Sequence, residues 1–196
     1  ATTTLRLGTG ILILPQRNPV VLAKELSTLD SLSGGRVELG IGVGWLREEF
    51  DALGIPWPRR GARTDEYIEA MRALWDGDHA SYNGEFVDFT DVSSNPKPAN
   101  GRVPIHIGGA SPVPAEPGGR LGAGFFPGEG DAGRDPESIE IPYGDAELMA
   151  VPGPEKVEEL AAQGIDRVVV PSFIFLGDPA EQLAEFGEKM IAPVNG

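Results

Sequence analysis

Arg36-Val-Glu-Leu-Gly-Ile-Gly-Val-Gly-Trp-Leu-Arg-Glu-Glu-Phe50 is the stretch whose reading decides the fold. Val37, Leu39, Ile41 and Val43 alternate with Glu38, Gly40, Gly42 and Gly44, the two-residue period of a β-strand. Glycine weakens a strand because it loses the most backbone entropy and gives nothing to pack. Three on one face therefore imply a bulky neighbour close to the backbone, either another element or a flat ligand. The run is not the dinucleotide fingerprint Gly-x-Gly-x-x-Gly, which would put its third glycine at Trp45. After Trp45 the period turns helical, with Leu46, Phe50 and Leu53 on one face and Gly54 as the stop. A strand delivering its C-terminal end into a helix is where parallel α/β proteins place ligands.

Upstream, Leu5 to Leu14 reads as a buried strand interrupted by Gly8 and Gly10. Asn18 caps a helix whose first residue is Pro19, a position with no intrahelical amide bond to lose. Leu22, Leu26 and Leu29 share one face, and Gly34-Gly35 end the helix. The result is a β-α-β unit with parallel strands and a right-handed crossover. Downstream, Tyr67, Ile68, Met71, Leu74 and Trp75 predict a helix over Thr64 to Asp76, and residues 77–100 an excursion or hairpin. Pro104 to Gly109 is a strand entering the turn Gly108-Gly109-Ala110-Ser111. Ser111 to Gly119, with three prolines, and Gly128 to Pro136 read as irregular loop, and they are expected to be the most mobile parts. Order returns with a helix from Pro154, a strand over Ile165 to Val170 and a helix begun by Asp178-Pro179.

This text resembles the bacterial luciferase-like flavin and deazaflavin oxidoreductases. The resemblance is carried by Leu-Gly-Thr-Gly-Ile-Leu-Ile-Leu-Pro-Gln-Arg-Asn-Pro (7–19) and Leu-Ser-Gly-Gly-Arg-Val-Glu-Leu-Gly-Ile-Gly-Val-Gly-Trp (32–45). Arg-Gly-Ala-Arg-Thr-Asp-Glu (60–66), Asn-Gly-Glu-Phe (83–86), Ile-His-Ile-Gly-Gly-Ala-Ser-Pro (105–112) and Gly-Ile-Asp-Arg-Val-Val-Val-Pro (164–171) extend it. It implies a (β/α)₈ TIM barrel of the luciferase-like type, incomplete in this chain: N-terminal β-α units and one or two later helices are absent. Such barrels take about 250 residues, against 196 here. The chain is expected to be a piece, to have segments missing from the record, or to have lost units. Missing segments are the expectation, because a chain lacking strands leaves sheet edges open. Residues 1–196 read as a single luciferase-like domain, with 77–100 the excursion and 111–136 an irregular loop region.

By the same resemblance the turns Val43-Gly44 and Gly108-Gly109-Ala110-Ser111 hold the coenzyme phosphate. Backbone amides in such turns suit an anion in any case. The resemblance also places a bulge at Thr9, Gly10 and Ile11 behind the coenzyme ring, with a cis Gly10–Ile11 bond; read from the residues, Gly10 is an ordinary bulge glycine. Glu49 and His106 are the catalytic candidates. Glu49, like Glu48, also suits a solvated first helical turn, and His106 also suits a strand wall. Trp45 walls the pocket or belongs to the core. Arg60 and Arg63 meet an acidic coenzyme tail or form surface ion pairs. No carboxylates accompany His79 and His106 at metal-ligand spacing, so no metal site is expected.

Composition bounds the rest. A net charge of −14 argues against nucleic acid and an anionic membrane surface. The absence of cysteine excludes thiolate chemistry and fits a cytoplasmic protein. No apolar run approaches the roughly 20 residues that span a bilayer. The leading function is an oxidoreductase using coenzyme F-420, a deazaflavin, for hydride transfer with a small organic substrate. A reduced-flavin (FMN) monooxygenase is the same-fold alternative, and a non-catalytic coenzyme-binding or structural dimer subunit the alternative of another class. The expected assembly is a homodimer, with Leu22, Leu26, Tyr67 and Met71 candidates for a shared face, although each taken singly reads as packing onto the chain's own sheet.

Overall fold

The computed structural model describes residues 3–109, 124–127, 142–143, 154–162, 167–168, 178–186 and 188. Two short strands, β1 (Leu7–Gly8) and β2 (Leu12–Ile13), lie end to end, both parallel to β3 (Val37–Gly42). Leu7 stands opposite Val37 and Leu12 opposite Ile41. Five steps along one strand thus match four along the other, and the extra residue bulges out at Thr9–Ile11. The Gly10–Ile11 bond in the bulge is cis.

A 3-10 turn, Leu14–Gln16, leads to α1 (Pro19–Ser33). Asn18 Oδ1 accepts from the amides of Val20 at 3.0 Å and Val21 at 3.2 Å, satisfying two of the orphan donors of the first turn. Gly34, at φ 71°, closes the helix in the left-handed conformation. After β3 come α2 (Arg47–Leu53) and α3 (Arg60–Asp76). An antiparallel hairpin follows, β4 (Ala80–Asn83) with β5 (Asp88–Val92), and then β6 (Ile105–Gly109) and β7 (Gly124–Pro127). The main sheet runs β1-β3-β6-β7, with β2 also on β3, every pairing parallel. Among the described residues it is not closed.

Pleating gives this sheet two unlike faces. Val37, Leu39, Ile41, Ile105 and Ile107 point toward α1 and α3 and form one core with Leu22, Leu26, Ile68, Met71, Leu74 and Trp75. Each such buried side chain contributes about 1.5–3 kcal/mol. Trp75 Nε1 donates to the Ala23 carbonyl at 3.1 Å, joining the two helices. Asp30, fully buried, accepts from the amides of Val37 at 3.2 Å and Ala99 at 2.8 Å, and so ties α1 to β3 and to the segment before β6. Glu66 on α3 takes three amides of the hairpin turn, from Glu85, Phe86 and Val87, at 2.6–3.0 Å.

The residues divide into two compact units, Arg6–Arg134 and Asp135–Gly196 with Ala1–Leu5. The second holds β8 (Pro142–Tyr143) paired in parallel with β9 (Arg167–Val168), and the helices α4 (Pro154–Ala162) and α5 (Pro179–Phe186). No described helix is long and apolar enough to cross a membrane.

Three expectations change. The first strand is not buried: Leu7 is 54% exposed, because among the described residues β1 is the edge of the sheet with no strand beyond it. Leu29 is likewise 56% exposed, at the rim of α1. Leu22, Leu26 and Met71 are buried in the chain's own core and Tyr67 packs against it, so they are not free to form a shared dimer face. The loops Ser111 to Gly119 and Gly128 to Pro136 lie outside the described residues.

Candidate functional site

Glu38, Gly40 and Gly42 from β3, and His106 and Gly108 from β6, occupy the sheet face turned away from α1 and α3. The glycines there have an immediate cause. A Cβ on Gly40 would stand 2.1 Å from the Thr9 carbonyl oxygen, and one on Gly42 would stand 2.1 Å from Ile11 Cδ1. Thr9 is fastened in place, its Oγ1 donating to the Gly40 carbonyl at 2.6 Å and its amide to the Glu38 carbonyl at 3.3 Å. The bulky neighbour implied by the alternation is therefore the bulge of the preceding strand. At Gly44 the backbone takes φ 79°, and a Cβ would stand 2.8 Å from Phe50 and 2.9 Å from Ile13. Gly44 is thus demanded by the strand-to-helix turn itself.

A flat ligand is left the outer surface of the bulge. Thr9, Gly10 and Ile11 are exposed, and a Cβ on Gly10 would meet nothing within 4 Å. This bare backbone patch lies beside the middle of β3, between the Gly8–Glu38 and Leu12–Ile41 pairs, and β2 carries on from it toward Val43 and Gly44, which begin the turn into α2. Gly108 and Gly109, at the end of β6, follow Ile107, the register partner of Ile41, and so lie level with Gly42 and Val43. Ala110 and Ser111 lie outside the described residues. The structure therefore places Val43, Gly44, Gly108 and Gly109 at one end of one sheet, with Thr9, Gly10 and Ile11 beside the middle of its strand β3. A flat ring on the bulge with an anionic tail toward the glycine turns fits this arrangement.

The expected catalytic residues are placed differently from each other. Glu49 is exposed on α2, where it accepts from Gln16 Nε2 at 3.3 Å and links α2 to the turn after β2. His106 is buried, and its Nε2 lies 2.5 Å from Glu38 Oε2. The other oxygen of Glu38 pairs with Arg6. His106 Nδ1 is buried without a partner. Sequence reasoning passed over Arg6 and Glu38. The signal for Glu38 was legible: a carboxylate on the glycine face of a strand whose other face is wholly apolar is one that needs a buried partner.

Trp45 is 83% exposed at the mouth of the turn and belongs to no core. Among the described residues neither arginine makes a surface ion pair. Arg60 Nε donates to the Gly44 carbonyl at 3.1 Å and its guanidinium lies 3.9 Å from the Trp57 ring centroid, which braces the turn. Arg63 is buried, donating to the Pro56 carbonyl at 2.7 Å against the Phe86 ring. Among the described residues no group of three metal-ligating side chains gathers.

The profile described as luciferase-like monooxygenase matches residues 1–185. An uncharacterized protein of Mycobacterium tuberculosis is 43% identical over 109 residues, covering 56% of this chain and 39% of its own length. The F420-dependent glucose-6-phosphate dehydrogenase of Amycolatopsis mediterranei is 32% identical over 172 residues, 86% of this chain and 49% of that protein. The FMNH(2)-dependent dimethylsulfone monooxygenase of Pseudomonas putida is 34% identical over 113 residues, 56% of this chain and 31% of that protein. The chain spans half the length of these relatives or less. Among solved structures, an F420-dependent secondary alcohol dehydrogenase superposes with TM-score 0.63 at 24% identity, over 72% of this chain and 49% of that one. That likeness is one of fold.

Proposed function

The chain belongs to the luciferase-like monooxygenase family, and from that premise we propose that it is part of a (β/α)₈ oxidoreductase that uses coenzyme F-420 for hydride transfer with a small organic substrate. The observation that carries the reading is the exposed Thr9–Ile11 bulge, bare at Gly10, beside the glycine turns that end β3 and β6. Thr9, Gly10 and Ile11 would hold a deazaflavin ring, and Val43-Gly44 with Gly108-Gly109-Ala110-Ser111 would hold its phosphate. Supplied with the coenzyme's hydride chemistry, the protein has to orient the ring, exclude water and manage one proton. Arg60 keeps the Gly44 turn in shape, and Trp45 is free to cover the bound ring. Glu49, on the first turn of α2, and His106, on β6, are the residues we assign to proton transfer, and a cytoplasmic homodimer is the assembly we assign.

Both F420-dependent and FMN-dependent relatives exist in the family. What favours the deazaflavin is reach. The F420-dependent relative aligns over 86% of this chain, including both glycine turns, and the FMNH(2)-dependent one over 56%. The test is a fluorescence titration of the purified protein with each coenzyme, followed by reduction of the bound coenzyme with 2-propanol or glucose 6-phosphate. Tight binding of coenzyme F-420 and weak binding of FMN is the expected result. The reverse order would turn the reading to a reduced-flavin monooxygenase. Failure of both to bind would leave a structural subunit.

A further inference from the structure

Three buried charged side chains of the main unit meet different fates. Asp30 accepts two backbone amides and Arg63 donates to a backbone carbonyl, so each fastens neighbouring segments and has no chemistry to spare. Glu38 is different. One of its oxygens holds His106 Nε2 at 2.5 Å, the other holds Arg6, and the histidine's remaining nitrogen is buried with no partner. Leaving a buried polar atom unpaired costs about 1–3 kcal/mol, so a fold that merely needed a wall would do better with leucine. The arrangement is that of an imidazole oriented by a carboxylate, which fixes the proton on one nitrogen and leaves the lone pair on the other.

The location matches the chemistry. His106 stands opposite Gly40 in the β3–β6 register, beside the bulge held by Thr9. Gly108, still within β6 and opposite Phe126, is two residues on along the same face, about 7 Å away by strand rise. We propose that Glu38 and His106 form a proton-holding dyad in which His106 Nδ1 exchanges a proton with the oxygen of a hydroxyl or carbonyl substrate, Arg6 fixing the carboxylate. The proposal rests on the oxidoreductase reading above and deepens it. Where the bound coenzyme would take hydride from an alcohol carbon, His106 Nδ1 would take the hydroxyl proton: one C–H and one O–H bond would break, an N–H bond on His106, a C–H bond on the hydride acceptor and the carbonyl π bond would form, and the imidazolium would rest against Glu38. Carbonyl reduction runs the same step backwards.

The chain has two histidines, so nitrogen-15 NMR of the imidazoles is readily assigned with a His79→Gln variant. In the wild-type protein His106 should carry its proton on Nε2, the nitrogen that faces Glu38. Adding coenzyme F-420 should move the Nδ1 resonance and leave His79 unmoved. Glu38→Gln, near in shape, should release the tautomer while the protein still melts cooperatively. Where 2-propanol or glucose 6-phosphate reduces the coenzyme, His106→Gln should slow that reduction about 100-fold or more with coenzyme affinity little changed. A proton on Nδ1, an Nδ1 resonance indifferent to a coenzyme seen to bind, or an unchanged rate in His106→Gln would overturn the dyad. If neither coenzyme binds, the oxidoreductase reading falls, and a proton on Nε2 that is released in Glu38→Gln would still uphold the orienting pair.

Discussion

Replacing Gly40 by alanine puts one methyl group where the Thr9 carbonyl already stands. The ideal Cβ lies 2.1 Å from that oxygen, 3.3 Å from the Thr9 carbonyl carbon and 3.7 Å from Ile11 Cγ2. The obstacle is backbone, so no side-chain rotation relieves it. The bulge has to lift, and lifting it strains or breaks the Thr9 Oγ1 bond to the Gly40 carbonyl and the Thr9 amide bond to the Glu38 carbonyl. Overpacking costs about 1–3 kcal/mol. Two weakened hydrogen bonds add about 0.5–1.5 kcal/mol each, and alanine returns about 0.5–1 kcal/mol of backbone entropy. The expected net loss is about 1–5.5 kcal/mol, centred near 3 kcal/mol, a sizeable share of the roughly 5–15 kcal/mol that hold a domain together.

Urea unfolding followed by tryptophan fluorescence measures this, since Trp75 is buried in the core. Gly61→Ala is the control: a Cβ there meets nothing within 4 Å, and the residue lies in α3, so stability should hold or rise by up to about 1 kcal/mol. A Gly40→Ala midpoint equal to the wild type's would refute the account of the glycine face. A large loss in Gly61→Ala would show that the arithmetic of added methyl groups fails in this chain.

Asp30→Ala removes the acceptor of two backbone amides, each bond to a charged group contributing about 1.5–3 kcal/mol, and should lower the urea midpoint more than Asp30→Asn, which keeps one acceptor oxygen. Equal effects of the two would show that the amide bonds are not what Asp30 supplies. The pair Arg102–Asp76 predicts a pH dependence: the hydrogen bond from Arg102, with the nearby cations, lowers the Asp76 carboxyl below the ordinary range. A lowered carboxyl stabilises above its unfolded value and loses that contribution as pH falls through its folded one. The melting difference between wild type and Arg102→Met should therefore be present at neutral pH and vanish in acid, and it should stay under about 1 kcal/mol because Asp76 is 46% exposed. A difference that persists in acid would assign it to packing.

The parts legible in the sequence are those set by local rules. Asn18, Pro19 and Gly34 mark α1 to the residue because caps depend on a few neighbouring atoms. Val37, Leu39 and Ile41 mark the helix-facing side of β3 because pleating is strictly periodic. What escaped depends on partners distant in the chain. Nothing near Arg63 foretells that it is buried against Phe86, and nothing near Leu29 foretells that among the described residues no strand lies beyond β1 to cover it. Glu38 and His106 are 68 residues apart, and only the β3–β6 register brings their ring and carboxylate together.

The glycines of β3 show why a correct local inference left the site open. Their alternation requires that something approach the strand, and it is silent on whether that is chain or ligand, since both exclude a Cβ equally. Here it is chain: Thr9 and Ile11 fill the space over Gly40 and Gly42. It follows that β3 senses a ligand through the bulge. Substitutions at Gly40 or Gly42 should alter coenzyme affinity only in proportion to how far they displace Thr9–Ile11. A methyl at Gly10, by contrast, projects into open space on the bulge's own surface. Gly10→Ala is therefore the variant in which ligand contact is separated from the fold: thermal stability should hold while coenzyme affinity falls. Retained affinity in that stable variant would move the ring off the bulge and leave the glycine turns as the only contacts on this sheet.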